Sequence, residues 1–96
     1  MHCYFIARIT IRDSEEYSKY LEGFDSVIAA YNAKVLAVDD RPTILEGHFT
    51  CSRVVLIRFG SEEEAKRWYD SVEYQKLAEH RWRASDADVV LANGRD

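Results

Sequence analysis

The stretch of sequence that decides the fold is FGSEEEAKRWYDSVEYQKLAEHR, which runs from Phe59 to Arg81. Ser61 is followed three residues later by Glu64, and this capping-box spacing predicts the start of a helix. The helix leads into the aromatic pair Trp68-Tyr69, and Asp70-Ser71 predicts the start of a second, short helix. Aromatic side chains need an apolar surface to pack against, so we expect both helices to lie on a β-sheet.

The flanking sequence supplies the strands of this sheet. Asp13, with Glu16 at the capping-box position, predicts a further helix whose apolar stripe extends to Tyr31. Period-two alternation and apolar runs predict strands at 2–11, 34–38, 53–59 and 88–92, with a turn at 39–42, a short extended piece at 43–46 and a loop at 47–52. The order β-α-β-β-α-β predicts one α+β domain over residues 1–96. Its architecture is a ferredoxin-like sandwich, with one antiparallel sheet and the helices on one face.

One glycine breaks the pattern of the first helix. Gly23 lies within the apolar stripe, where glycine costs roughly 1 kcal/mol relative to alanine. A close approach of this helix to the sheet would explain why a side chain is missing there.

Composition narrows the class of protein. The 96 residues carry a net charge of −4, which argues against a nucleic-acid or anionic-membrane partner, because both favour basic surfaces. We find no signal peptide and no membrane span, and we expect a cytoplasmic protein. Cys3 and Cys51 are interpreted as two reduced thiols, since two isolated cysteines do not form a disulfide framework.

The face of the predicted sheet that the helices leave free is unusually apolar. Alternation places on it Tyr4, Ile6, Val54, Leu56 and Val90. So much exposed apolar surface is rare on a small monomer, and a two-fold homodimer with facing sheets would cover it. An apolar space between two sheets, with a few charges, is typical of a small-molecule pocket.

Several segments together resemble a known family. They are the opening strand ending in Asp13, Tyr17 and Tyr20, the Leu45-Glu46-Gly47 triplet, Arg53 with the strand ending in Phe59, Ala65, the run Trp68-Tyr69-Asp70-Ser71, Glu73-Tyr74 and Arg81. This set is similar to domain-of-unknown-function family 1330, within the dimeric α/β-barrel superfamily. The similarity covers nearly the whole chain, and WYDSVEY is its most specific part. It implies a ferredoxin-like protomer and a dimer that shares a barrel, and it implies no settled activity.

Three residues are the first candidates for chemistry. Glu46 and His48 are two apart on an extended segment and so point to the same side, where they could act as catalytic acid and base. Arg81 could bind a ligand carboxylate or phosphate. The competing interpretations are a solvated loop for Glu46 and His48, and a structural ion pair with Glu46 or another acid for Arg81.

The remaining candidates are aromatic and basic. Tyr17 and Tyr20 on the first helix, and Trp68 and Tyr74 on the later helices, are either core residues or walls of a ligand pocket. Arg8 falls with Arg58 on the free face of the sheet, where both need anions from the partner chain or from a ligand.

Two classes of function remain open. One is a binding protein for a small organic, anionic molecule, and the other is a cofactor-independent enzyme of the monooxygenase, isomerase or decarboxylase type, as in relatives of the superfamily. We expect no cofactor and no metal, because His48-x-x-Cys51 falls short of zinc-site spacing and no phosphate-binding glycine loop is present. RNA binding is disfavoured because the third strand offers Val54, Leu56 and Arg58, and no aromatic residue, for base stacking.

Overall fold

The computed structural model describes residues Met1–Asp96 and contains four strands and three helices. They are β1 (Cys3–Ile11), α1 (Ser14–Ile28), β2 (Ala33–Asp39), β3 (Arg53–Phe59), α2 (Glu62–Tyr69), α3 (Val72–Ala84) and β4 (Ser85–Asn93). The sheet has the order β2-β3-β1-β4, and every neighbouring pair is antiparallel. This confirms the predicted α+β, ferredoxin-like fold.

Each helix begins at the capping residue that the sequence indicates. Asp13 accepts a hydrogen bond from the backbone N–H of Glu16, and Ser61 accepts one from that of Glu64, both at 3.1 Å. Ser71 does the same for Tyr74, which separates α3 from α2. These side chains satisfy N–H groups that have no partner inside the helix, and this fixes where each helix starts.

The core lies between the sheet and the helices. The β1 residues Cys3, Phe5, Ala7 and Ile9 are buried, while the residues between them face the other side. Trp68 is the largest fully buried side chain, and its ring lies against Phe5, Phe59 and Tyr74 with centroid distances of 5.3, 5.1 and 4.0 Å. The WYDSVEY segment therefore joins both later helices to the sheet.

The structure corrects the prediction in three places. No strand forms at 43–46, and the second of the later helices is not short but extends to Ala84. β4 begins at Ser85 instead of residue 88, because Ser85 already pairs with Ile11. The acidic residues at its start hide the strand pattern in the sequence.

The reason for Gly23 also differs from the expected one. A Cβ atom at this position would lie 2.7 Å from Leu77 Cδ1 on α3, so the close approach is between two helices and not between helix and sheet. No helix has the length and hydrophobicity needed to cross a lipid bilayer.

Candidate functional site

A small apolar cavity lies on the helix side of the sheet, within a single chain. Its volume is about 70 Å³. We call it the Arg81 cavity, and its walls are formed by Phe5, Ile9, Tyr17, Tyr20, Leu21, Phe24, Val35, Val38, Arg53, Val55, Ile57 and Arg81. Leu21, Val35 and Val38 remain 47%, 40% and 54% exposed. The cavity therefore opens to the surface between α1 and β2.

Arg81 is the unusual member of these walls. It lies near the end of α3 and is only 3% exposed, yet no carboxylate of the chain pairs with it. Its Nη2 donates a long hydrogen bond of 3.5 Å to the Tyr74 hydroxyl, and its Nε has no partner. A guanidinium cannot give up its proton in a protein, so this cavity holds a charge without a counter-ion.

Tyrosine residues surround this charge. The guanidinium carbon of Arg81 lies 5.7 Å from the ring centroid of Tyr20, a cation–π arrangement. The hydroxyls of Tyr20 and Tyr74 are 2.7 Å apart and share a hydrogen bond. Burial raises the pKa of Tyr20 well above its usual value, and burial also raises the pKa of Tyr74. Both phenols are therefore neutral at physiological pH and cannot serve as counter-ions for Arg81.

The second arginine of the cavity is already neutralised. Arg53 donates from Nε to Asp40 Oδ1 at 2.6 Å and from Nη2 to Asp40 Oδ2 at 3.2 Å. These hydrogen bonds lower the pKa of the Asp40 carboxyl, which stays ionised at neutral pH. Arg53 also lies 5.5 Å from the ring centroid of Tyr17. Arg81 is therefore the one arginine of the cavity without a carboxylate partner.

The structure brings some of the predicted site residues together. Tyr17, Tyr20 and Arg81 line the cavity, and Tyr74 contacts both Tyr20 and Arg81 through its hydroxyl. Trp68 lies behind the cavity wall against Phe5, in the core.

The other predicted residues lie elsewhere. His48 and Arg8 line a polar groove on the helix-free side of the sheet, where Arg8 Nη2 donates to Asp88 Oδ2 at 2.9 Å. The Arg8 guanidinium also lies 5.3 Å from the ring centroid of Phe49. Glu46 is exposed in the segment between β2 and β3 and lines neither the groove nor the cavity. Glu46 and His48 therefore do not meet Arg81 in the protomer.

The Arg81 cavity is not the pocket between two sheets that the sequence predicts; that pocket needs a second chain and stays a prediction. The Arg81 cavity lies on the opposite, helix-covered side, where residues of α1, β1, β2 and β3 line it together with Arg81. Sequence reasoning also missed Arg53 as a wall residue. The signal was present, since Arg53 alternates with Val55 and Ile57 on the helix-facing side of β3.

No three His, Cys, Asp or Glu side chains lie close enough together to hold a metal ion. What the Arg81 cavity offers is one buried cation, neutral phenol groups and apolar walls. Such a set can bind and orient an anion, to which a neutral tyrosine hydroxyl can donate a hydrogen bond.

Comparison with solved structures supports the fold. A protein of unknown function from Rhodopseudomonas palustris is 15% identical, with a TM-score of 0.81 over 99% of this chain and 83% of that chain. A dimeric ferredoxin-like protein of unknown function from Jannaschia sp. CCS1 is 8% identical, with a TM-score of 0.78 over 98% and 100%. SnoaB, a cofactor-independent oxygenase from Streptomyces nogalater, is 14% identical, with a TM-score of 0.68 over 99% and 94%.

Comparison by sequence gives a match to one protein family. Among curated proteins, none matches the chain significantly. The profile of the family described as Domain of unknown function (DUF1330) matches residues 2–95. The match covers almost the entire chain, including the segment from Phe59 to Arg81 and all four strands. The chain therefore belongs to the DUF1330 family.

Proposed function

We propose that this protein binds a small organic anion in the Arg81 cavity, with the guanidinium of Arg81 as the anchor. The observation that carries the proposal is the isolation of Arg81. Its side chain is buried and lines a cavity, its Nε lacks a partner, and no carboxylate of the chain neutralises it.

The energetics favour a ligand as the missing partner. A buried charge without a counter-ion costs several kcal/mol, and proteins normally avoid it by pairing the charge. The cation–π contact with Tyr20 and the position of Arg81 in the last turn of α3 offset a part of that cost. An anion entering the cavity would offset the remainder through its charge and through charge-assisted hydrogen bonds with the guanidinium.

The test is a thermal-unfolding screen of the purified protein with acetate, butyrate, benzoate, citrate and phosphate. Because binding to the native state alone raises stability, an anion that binds increases Tm, and the increase grows with the anion concentration. We expect at least one of these anions to raise the Tm of the wild type and to leave the Tm of Arg81→Met unchanged.

A matched variant controls for the loss of one positive charge. Lys76 is exposed on the same helix, and Lys76→Met should respond to the anions as the wild type does. If no anion raises the Tm of the wild type, or if Arg81→Met responds equally, the proposed site is wrong.

We further propose that the protein is a homodimer, with the helix-free faces of the two sheets in contact. Ile6 on β1 pairs with Val90 on β4 and with Leu56 on β3, so the three side chains lie side by side on this face. Ile6 and Val90 are 37% and 57% exposed. Several neighbours in fold, including the Jannaschia protein, are described as dimeric. The groove with Arg8 and His48 would then lie at or near the interface.

The alternative is a cofactor-independent enzyme with Glu46 and His48 as acid–base groups and Arg81 as anion anchor. It requires a dimer that brings these residues together, because Glu46 and His48 do not line the Arg81 cavity of the protomer. Two neighbours in fold support this alternative: SnoaB, a cofactor-independent oxygenase, and a putative antibiotic biosynthesis monooxygenase from Nitrosomonas europaea. In this case Glu46→Gln and His48→Asn should retain anion binding but lose turnover of the bound compound. If both variants bind and react as the wild type does, Glu46 and His48 are not the catalytic pair.

A further inference from the structure

We infer that the ligand of the Arg81 cavity is a monocarboxylate with a compact apolar body. This inference rests on the function proposed above and adds the chemical class of the ligand. Three properties of the cavity lead to it: the number of free charges, the character of the walls and the place of the charge relative to the opening.

The cavity offers one free positive charge. Of its two arginines, Arg53 is paired with both oxygens of Asp40, and only Arg81 has a buried N–H group without a partner. A second anionic group on the ligand would face apolar walls without a partner, which is costly. The charge count therefore favours a single carboxylate over a dicarboxylate or a phosphate.

The cavity walls indicate the chemical character of the ligand apart from its carboxylate. Apart from the two arginines, every wall residue is aliphatic or aromatic. A volume of about 70 Å³ is well below the roughly 300–1,000 Å³ of pockets for drug-sized ligands. The body of the ligand is therefore apolar and has few atoms.

The position of the charge orients the ligand. Arg81 is 3% exposed, whereas Leu21 and Val38 at the opening are about half exposed. The carboxylate must therefore pass the apolar opening and lie innermost, against Arg81 and the Tyr20 hydroxyl. Its apolar body then fills the space that leads back to the opening between α1 and β2.

The inference is tested by titration calorimetry of the full-length protein with four related compounds: acetate, butyrate, succinate and butyramide. Each buried methylene contributes about 0.8 kcal/mol, or roughly fourfold in affinity, so butyrate should bind on the order of 15-fold more tightly than acetate. Succinate has the same chain length and a second carboxylate, and it should bind at least about tenfold more weakly than butyrate. Butyramide has the shape of butyrate without the charge, and its binding should be lost.

The outcomes separate this inference from the proposed function. If succinate equals or exceeds butyrate, or if acetate equals butyrate, the apolar monocarboxylate class is overturned and the anion site itself stands. If butyramide binds as butyrate does and Arg81→Met binds both, Arg81 is not an anchor and the proposed function fails with the inference. If butyrate does not bind at all, the inference is overturned whatever the other anions do.

Discussion

At the scale of single residues, the contacts around Arg81 determine how its buried charge is held. The hydroxyl of Tyr74 is the only hydrogen-bond acceptor that the protein supplies to this guanidinium, and it also bonds to the Tyr20 hydroxyl. Both contacts are buried. Removing the Tyr74 hydroxyl therefore leaves two polar groups without a partner, which costs more than losing one exposed hydrogen bond.

We therefore expect Tyr74→Phe to lower the free energy of unfolding by about 1–3 kcal/mol, measured by urea denaturation. The control is Tyr31→Phe, since Tyr31 is partly exposed and its ring, which the substitution keeps, lies against the guanidinium of Arg67. This control should change stability by less than about 0.5 kcal/mol. Equal effects of both variants would show that the Tyr74 hydroxyl is not part of a buried network.

At the scale of elements, α1 and α3 are joined by a charged cluster. Glu16 accepts from His80 Nδ1 at 2.6 Å and from Arg83 Nη2 at 3.1 Å. The hydrogen bond with His80 is the main reason that the pKa of Glu16 falls from its ordinary 4.5 to about 2. A carboxyl with a lowered pKa stabilises the fold when ionised, so this contribution is complete above pH 4.5 and disappears as the pH falls towards 2.

The corresponding prediction is a loss of stability between pH 5 and pH 2 that depends on Glu16. Urea midpoints of the wild type should fall over this range, and those of Glu16→Gln should fall less steeply because one linked proton is gone. Glu15→Gln, in the same turn of α1 and exposed, is the control and should follow the wild type. A Glu16→Gln profile parallel to that of the wild type would refute the coupling.

A second prediction at the scale of elements concerns strand β2, which forms one side of the cavity opening. Val38→Trp places a large ring at that opening and should weaken butyrate binding in calorimetry while leaving the urea midpoint nearly unchanged. Leu36→Trp, at the irregularity of the same strand and outside the cavity wall, should bind butyrate as the wild type does. Unchanged binding by Val38→Trp would place the entrance elsewhere.

Local features of the helices could be predicted from the sequence, whereas the long-range environment of Arg81 could not. The helix starts at Asp13, Ser61 and Ser71 were predictable because capping is a local interaction between residues close in sequence. The isolation of Arg81 was not predictable, since it depends on the absence of any acid within reach in three dimensions. Sequence reasoning could offer only a ligand, Glu46 or another nearby acid as the partner of Arg81. Glu46 is in fact exposed in the segment between β2 and β3 and forms no ion pair with Arg81.

At the scale of the whole molecule, the helix-free face is the feature that a monomer does not account for. We expect wild-type protein to show twice the 11.2 kDa chain mass in light scattering. Val90→Lys places a charge in the centre of this face and should yield the mass of one chain. Val72→Lys makes the same change at an exposed position at the start of α3 and should remain a dimer. A wild type with the mass of one chain would contradict the homodimer.

The most direct test of the central claim is the free energy of unfolding of Arg81→Met, measured beside its binding of butyrate. If the counter-ion of Arg81 is a ligand anion, the ligand-free protein contains an unpaired buried charge. Replacing Arg81 with methionine, a side chain of similar size, then removes that charge. Stability should then stay within about 1 kcal/mol of the wild type or rise, while butyrate binding is lost. A loss of about 3–5 kcal/mol, as when a buried ion pair is broken, together with unchanged butyrate binding, would make Arg81 a structural residue and contradict the account.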